Sequence, residues 1–370
     1  MNNYLDSIQT PSVLIDMEKV KSNLCKIEKI SEKYSVKIRP HIKTHKMIEF
    51  AKMQMMYGAE GITCAKISEA EVMAKGGIDD IFIAYPIIGD EKIDRVLQLN
   101  QILKRLIVGI DSAYGAKALA NKAASLNQIV EVRLEVDTGA KRTGVSFDDV
   151  VELALEIKKY KNLNLTGIYT FKSLIFNNEP TKDAKLAGKE EGQLLEKIRR
   201  KLEQADVNIE EISAGSSPTG EAVASTNLVS EIRPGTNIFN DYMLVKEGVC
   251  KEEDIAAYIV ATVVSTPNES YAVIDGGNKA ISTDMVLNVA PYYHDTYAKV
   301  VGRDDLIIRR LNEEHGIIES KTGKTNLKIG EKILLYPGHV CTTINLYNNL
   351  YIVENDMVRK EKIDARGMLY

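Results

Sequence analysis

A short apolar run flanked by polar ends, Ser12-Val13-Leu14-Ile15-Asp16, predicts a strand, and from Met17 the apolar spacing changes to a helical period that lasts to about Tyr34. From there the chain alternates. Runs predicting strands lie at Val36–Arg39, Gly61–Cys64, Ile81–Tyr85, Arg105–Ile110, Ile129–Val136, Leu165–Thr170, Ile209–Ser213 and Ser230–Arg233. Between them, helical periods cover Lys46–Tyr57, Ser68–Ala74, Glu91–Leu103, Ala113–Ala124, Phe147–Lys159 and Thr181–Ala205. Eight strands, most of them separated by helices, within about 200 residues suit a (β/α)8 barrel of the TIM type better than an open doubly wound sheet.

From about Leu244 the texture changes. Tyr258–Val264, Tyr271–Ile274, Lys332–Tyr336 and Leu350–Val353 are β-rich runs separated by turns, with no long helical period among them. The α/β part is therefore expected to be a barrel over residues 14–243. A β-domain is expected over 244–370, joined by about residues 1–13, because the strand at Ser12–Asp16 falls outside the count of eight.

Composition narrows the function classes. Lys+Arg 48 against Asp+Glu 52 leaves a net charge of −4, which argues against nucleic acid or an anionic membrane as the main partner. No apolar run approaches the roughly 20 residues that span a bilayer. The first residues carry neither a basic segment nor an apolar one, so a cytoplasmic location is expected. The four cysteines, Cys25, Cys64, Cys250 and Cys341, lack CxxC spacing, which fits a reducing compartment and offers no four-thiolate zinc site. A Walker A loop, a strand followed by GxGxxG, a GxSxG elbow and an HExxH helix are all missing, and several large enzyme classes recede with them.

The chemistry concentrates in two places. Arg39-Pro40-His41-Ile42-Lys43-Thr44-His45-Lys46 packs two of the five histidines and two lysines directly after a strand. Cationic neighbours oppose protonation of a lysine and favour the free amine that attacks a carbonyl. A barrel collects its functional groups on the loops after the strands. There the chain offers Arg142 in Asp137–Gly144, Ser216 and Ser217 in Ala214–Thr219, and Gly235 and Thr236 after Arg233-Pro234. Small residues and hydroxyls of this kind suit an anion, although Gly-Ser-Ser-Pro and Pro-Gly-Thr are also ordinary turn sequences. An attackable lysine facing phosphate-type loops points to pyridoxal phosphate. The second place is Pro337-Gly338-His339-Val340-Cys341-Thr342-Thr343. Were the preceding strand to continue, His339 and Cys341 would share a face and could grip one ion, for which imidazole and thiolate suit zinc. Two protein ligands are too few for a structural zinc site but leave positions open for water or substrate. Glu313-Glu314-His315-Gly316 could be a turn segment just as easily.

These residues resemble the D-threonine aldolase / D-serine dehydratase family, whose barrel is shared with alanine racemases, the fold type III pyridoxal-phosphate enzymes. The resemblance runs over nearly the whole chain. It includes Thr10–Asp16, Arg39–Lys46, Ala65–Glu71, Arg233–Thr236, Asp275–Ala280, Glu313–Gly316 and Pro337–Asn345. It implies that Lys43 forms the Schiff base, that Arg142 faces the phenolic oxygen of the cofactor, and that Ser216, Ser217, Gly235 and Thr236 hold the phosphate. Arg233 matches the position facing the pyridine nitrogen in alanine racemases. His339 and Cys341 look like ligands of a divalent metal, zinc or manganese, near the substrate hydroxyl. A homodimer acting on a small D-amino acid is implied as well.

One segment departs from the family pattern. After strand six relatives usually carry histidine or tyrosine and then a glycine-containing turn, whereas this chain has Phe171-Lys172-Ser173. The reading is thus a lyase for β-hydroxy D-amino acids, with retro-aldol cleavage favoured narrowly over dehydration. A racemase with Lys172 as the second base, or a non-enzymatic carrier of pyridoxal phosphate, stands as the alternative.

Overall fold

The computed structural model describes residues 3–370. The chain divides into two compact units, one of Cys25–Gly235 with Gly367–Tyr370, the other of Met1–Leu24 with Thr236–Arg366.

In the first unit the eight expected strands form at Lys37–Ile38, Ile62–Cys64, Asp80–Pro86, Arg105–Ile110, Val130–Glu135, Leu163–Tyr169, Glu211–Ala214 and Glu231–Ile232. Every pairing between them is parallel. The first strand lies beside the eighth, and isolated parallel bridges Ile38↔Ala59 and His41↔Thr63 join it to the second, so the sheet curls into a barrel. The strands read as apolar runs because helices cover their outer faces. Helix Asp90–Ile102, for example, buries Ile93, Val96, Leu97 and Leu99, while Ser112 and Asp183 cap the helices Ala113–Ser125 and Ala184–Gln204.

The inside of the barrel is not purely aliphatic. Arg39, Arg133 and Glu231 are fully buried. Glu231 accepts from Arg39 Nε at 2.8 Å and from Arg133 Nη1 at 2.6 Å. The strands carrying Arg133 and Glu231 are separated by two others in the sheet, so the ion pair crosses the barrel interior. Burial alone would raise the Glu231 carboxyl, but Arg133 and Arg39 outweigh it and hold the group far below the usual range.

In the second unit Ser12–Asp16 pairs antiparallel with Ala257–Asn268 and parallel with Asn349–Glu354. Lys332–Pro337 joins the same sheet. Ile259, Val263, Ile274, Ile308, Ile318 and Leu335 belong to its core. The compact units divide at Gly235 and Thr236, a few residues before the expected boundary at 243, and the N-terminal part of the β-unit runs to Leu24. Pairing explains the N-terminal part: residues 12–16 are locked between two β-domain strands, and Asn23 donates to the carbonyls of Ile238 and Asp254. The last four residues also depart from expectation, since Tyr370 takes the Ser68 N–H through its carbonyl within the barrel unit.

Candidate active site

Each unit carries one cluster of chemically capable side chains. In the barrel unit, Lys43 sits on the single turn Ile42–Thr44 directly after the first strand. His41 caps that turn, its Nδ1 accepting the Lys43 N–H at 3.4 Å. The Lys43 ammonium stands 5.6 Å from the centre of the Phe171 ring, and the Arg142 guanidinium lies over the same ring at 4.7 Å. Loops after strands one, five and six therefore meet at one aromatic side chain. Thr170 ties the strand-six loop further, bonding the Val136 carbonyl and the Thr138 hydroxyl, each at 2.7 Å.

Around the same mouth, the Ser217 hydroxyl accepts the Gly235 N–H at 3.1 Å, which joins the loops after strands seven and eight. Gly235 also passes close under His41. A Cβ there would stand 3.1 Å from both the His41 carbonyl oxygen and its Cβ, so the approach needs glycine. Ser216 is fixed by Thr219, whose hydroxyl lies 3.1 Å from the serine Oγ, and the buried Glu191 accepts from Thr219 and from the Gly215 N–H. Amide and hydroxyl donors gathered beside cationic side chains fit a phosphate-bearing aldehyde cofactor. Arg233 is buried, with its guanidinium bonded to the Ser213 hydroxyl and the Thr170 carbonyl and lying 5.4 Å from the Tyr169 ring.

Two parts of the sequence reading need correction. The histidines do not supply cationic crowding. Burial, reinforced by Lys43, Arg233 and Arg142, pushes His41 well below its usual value, and burial lowers His45 to about 4. His45 instead accepts the Met47 N–H at 3.1 Å and meets Gln54, which shapes the turn. The positive neighbours of this corner are the arginines, because Lys46 is matched by Glu69 at 2.8 Å. Lys172 likewise does not present a second base: it is buried and paired with Glu190, and its Nζ donates to the Ile175 carbonyl at 2.6 Å.

In the β-unit, His339 and Cys341 do come together, but not by strand alternation. The strand ends at Pro337, His339 is the extended cap of the short helix Val340–Ile344, and Cys341 lies in the first turn. Gly338 permits the corner, since a Cβ there would run into the Tyr297 carbonyl. Asp241, fully buried, fixes the helix start by accepting the Val340 N–H at 3.0 Å, and also caps its own helix Tyr242–Lys246. Asp284 accepts from His339 Nδ1 at 2.6 Å and is itself held by the hydroxyls of Ser282 and Thr342. Burial opposes protonation of His339, yet the hydrogen bonds and charges of Asp284 and Cys341 raise it to about 11. The same contact brings Asp284 down to about 2 against its burial. The Thr236 hydroxyl lies 3.5 Å from Cys341 Sγ. Imidazole oriented by a carboxylate, beside a thiol, is a donor set that fits zinc. Among the described residues no group of three or more His, Cys, Asp and Glu side chains is arranged to enclose an ion, so solvent or substrate would complete the shell. Glu314 pairs with Lys279 at 2.6 Å, and Asn312 accepts the Asn278 N–H, so Glu313–His315 form a turn that leads into the strand starting at Gly316.

Sequence reasoning missed Asp284, Glu190 and Glu191. None stands in a recognisable spacing; the only hint was the lysine at 172, an unusual residue in a barrel-mouth loop.

An eight-stranded parallel barrel with a lysine after its first strand, joined to a C-terminal β-domain, defines an enzyme of the alanine-racemase-like, fold type III class. The chain belongs to the family of the alanine racemase N-terminal domain, which matches residues 15–243, and a putative serine dehydratase domain matches residues 256–353. It is similar to the D-threonine aldolase of an Arthrobacter species, at 26% identity over 98% of this chain and 94% of that one. Among solved structures it resembles the D-threo-3-hydroxyaspartate dehydratase of a Delftia species, with a TM-score of 0.88, 26% identity and coverage of 97% and 98%. A cysteine-to-alanine mutant of a D-threo-3-hydroxyaspartate dehydratase in metal-free form matches with a TM-score of 0.87, 25% identity and coverage of 97% and 98%.

Proposed function

We propose that the protein is a pyridoxal-phosphate and divalent-metal-dependent lyase that cleaves β-hydroxy D-amino acids, D-threonine aldolase in type. The observation that carries the reading is the convergence of Lys43 and Arg142 on the Phe171 ring, within a mouth whose remaining loops offer amide and hydroxyl donors. Bound pyridoxal phosphate would supply a carbonyl for an amine and a conjugated ring that draws electrons from the bonds at the substrate α-carbon. Lys43 would hold that group, Ser216, Ser217, Gly235 and Thr236 would bind its phosphate, Arg142 would face its phenolic oxygen, and Arg233 would face the ring nitrogen. A divalent cation, zinc or manganese, held by His339 and Cys341 would act as a Lewis acid on the substrate hydroxyl. The mutant dehydratase described in metal-free form supports a metal at the cysteine.

Two outcomes share these residues. Loss of the hydroxyl proton with cleavage of the Cα–Cβ bond releases an aldehyde and leaves the bond's electron pair at Cα, which takes up a proton to give glycine. Loss of the α-proton to Lys43 with departure of the hydroxyl gives a keto acid and ammonia. The Arthrobacter aldolase favours the first, and the Delftia dehydratase keeps the second in play. A racemase is disfavoured because Lys172 is engaged by Glu190. A cytoplasmic homodimer completes the reading. The test is a product screen of purified holoprotein against the D- and L-forms of threonine, serine, 3-hydroxyaspartate and alanine, each alone, measuring aldehyde, keto acid and enantiomeric composition. Aldehyde from a D-hydroxy acid alone is expected. Interconversion of enantiomers without lyase products would replace the reading by a racemase, and no turnover at all by a cofactor carrier.

A further inference from the structure

We propose that the buried Lys172–Glu190 ion pair is a latch that positions Phe171 as the common platform of Lys43 and Arg142. The inference rests on the reading of Lys43 and Arg142 as cofactor-contacting groups. It makes Lys172 a positioning residue.

Lys172 is 1% exposed, yet it belongs to a loop, where a lysine ordinarily reaches water. Its ammonium is satisfied by the Glu190 carboxylate and the Ile175 carbonyl at 2.6 Å. The same carboxylate accepts the Asn177 N–H at 3.2 and 3.3 Å through its two oxygens. One side chain of helix Ala184–Gln204 therefore grips the loop at both Lys172 and Asn177. Between them the backbone takes a compact path, with left-handed φ values of 57° at Ser173 and 50° at Asn177, and a two-residue hairpin at Ile175–Phe176 and Glu179–Pro180. On the other side of Phe171, Thr170 is bonded to Val136 and Thr138. Phe171 thus lies between two anchored neighbours, and its ring has little freedom to leave its place.

That ring carries two cationic side chains within the roughly 6 Å at which a ring face attracts them. An aromatic face offers this attraction without donating or accepting a proton. A histidine or tyrosine at this place would bring a hydrogen-bonding group of its own; phenylalanine can act only through position, and position is what the ion pair supplies. Lys172 also brings its own counter-charge, so burying it does not add a net positive charge to a corner already holding Arg142 and Arg233.

The test uses holoprotein and compares Phe171→Ala, Lys172→Met, the double variant and Lys172→Arg. Retention of pyridoxal phosphate is followed by visible absorbance on dilution, alongside KM, kcat and far-ultraviolet circular dichroism. Phe171→Ala and Lys172→Met should each weaken cofactor retention about tenfold, the scale of one partly desolvated cation–π contact. The double variant should be no worse than the weaker single one, because both act through the same ring. Lys172→Arg should restore most of the retention. Should Lys172→Met fail to fold, Glu190→Gln carries the same comparison. Unchanged retention in Lys172→Met, or losses that add in the double variant, would overturn the latch. Failure of the underlying reading looks different: wild-type protein would then carry no cofactor on Lys43.

Discussion

Asp284 Oδ2 lies 2.6 Å from Nδ1 of His339, so a carboxylate orients the imidazole proposed as a metal ligand. A carboxylate in this position fixes the ring and raises its basicity toward a metal, and its loss commonly costs 10–100-fold in metal affinity. Asp284→Asn is therefore expected to weaken zinc binding by roughly that factor. Calorimetric titration of the metal-stripped protein checks it. Cofactor absorbance should persist, because the residues assigned to the cofactor lie elsewhere in the sequence.

Glu231 is the hinge of stability in the barrel interior. Its carboxylate takes Arg39 at 2.8 Å, Arg133 at 2.6 Å and the Ser213 hydroxyl, and all three charged groups are fully buried. Removing Glu231 takes away the one fully buried partner of both arginines and leaves Arg39 with Asp80 and Arg133 with the more distant Glu211, so Glu231→Leu should destabilise the protein by up to about 3–5 kcal/mol in urea unfolding. A variant as stable as wild type would mean that Asp80 and Glu211 suffice for the two arginines.

The fully buried His45 makes stability fall in mild acid. Its folded value is lowered to about 4 from the ordinary histidine value of about 6.5, so below about pH 6.5 the unfolded chain takes up a proton that the native one refuses. Stability from this group is full above the unfolded value and is lost as pH falls toward 4, by up to about 3 kcal/mol. His45→Gln should flatten the dependence of urea midpoints over that window, even if it lowers them throughout.

The barrel was legible because its strands are short apolar runs separated by amphipathic helices, and burial on both faces writes that pattern directly. The β-domain was legible only in part. Among the described residues Met357–Lys362, Met-Val-Arg-Lys-Glu-Lys, pairs only with Asn349–Glu354, and edge strands favour charge over alternation, so its period does not show. Lys43 and the His339–Cys341 pair were legible because reactive residue types stand close together in sequence. Asp284 and Glu190 were not: they reach their partners across 55 and 18 positions, and nothing in a single sequence distinguishes such a carboxylate from a solvated one. The route by which His339 meets Cys341 was misjudged because Pro337 and Gly338 end the strand where alternation would have continued it.

The account turns on Lys43. Lys43 stands beside Phe171 and Arg142 on the turn directly after the first barrel strand, which makes it the proposed amine for a carbonyl. The most direct measurement is borohydride reduction of the protein loaded with pyridoxal phosphate, followed by peptide mapping. The account predicts a pyridoxyl adduct on the peptide containing Lys43, at that residue, and a colourless Lys43→Ala protein. An adduct on Lys46 or Lys172, or an equally coloured Lys43→Ala protein, would contradict it.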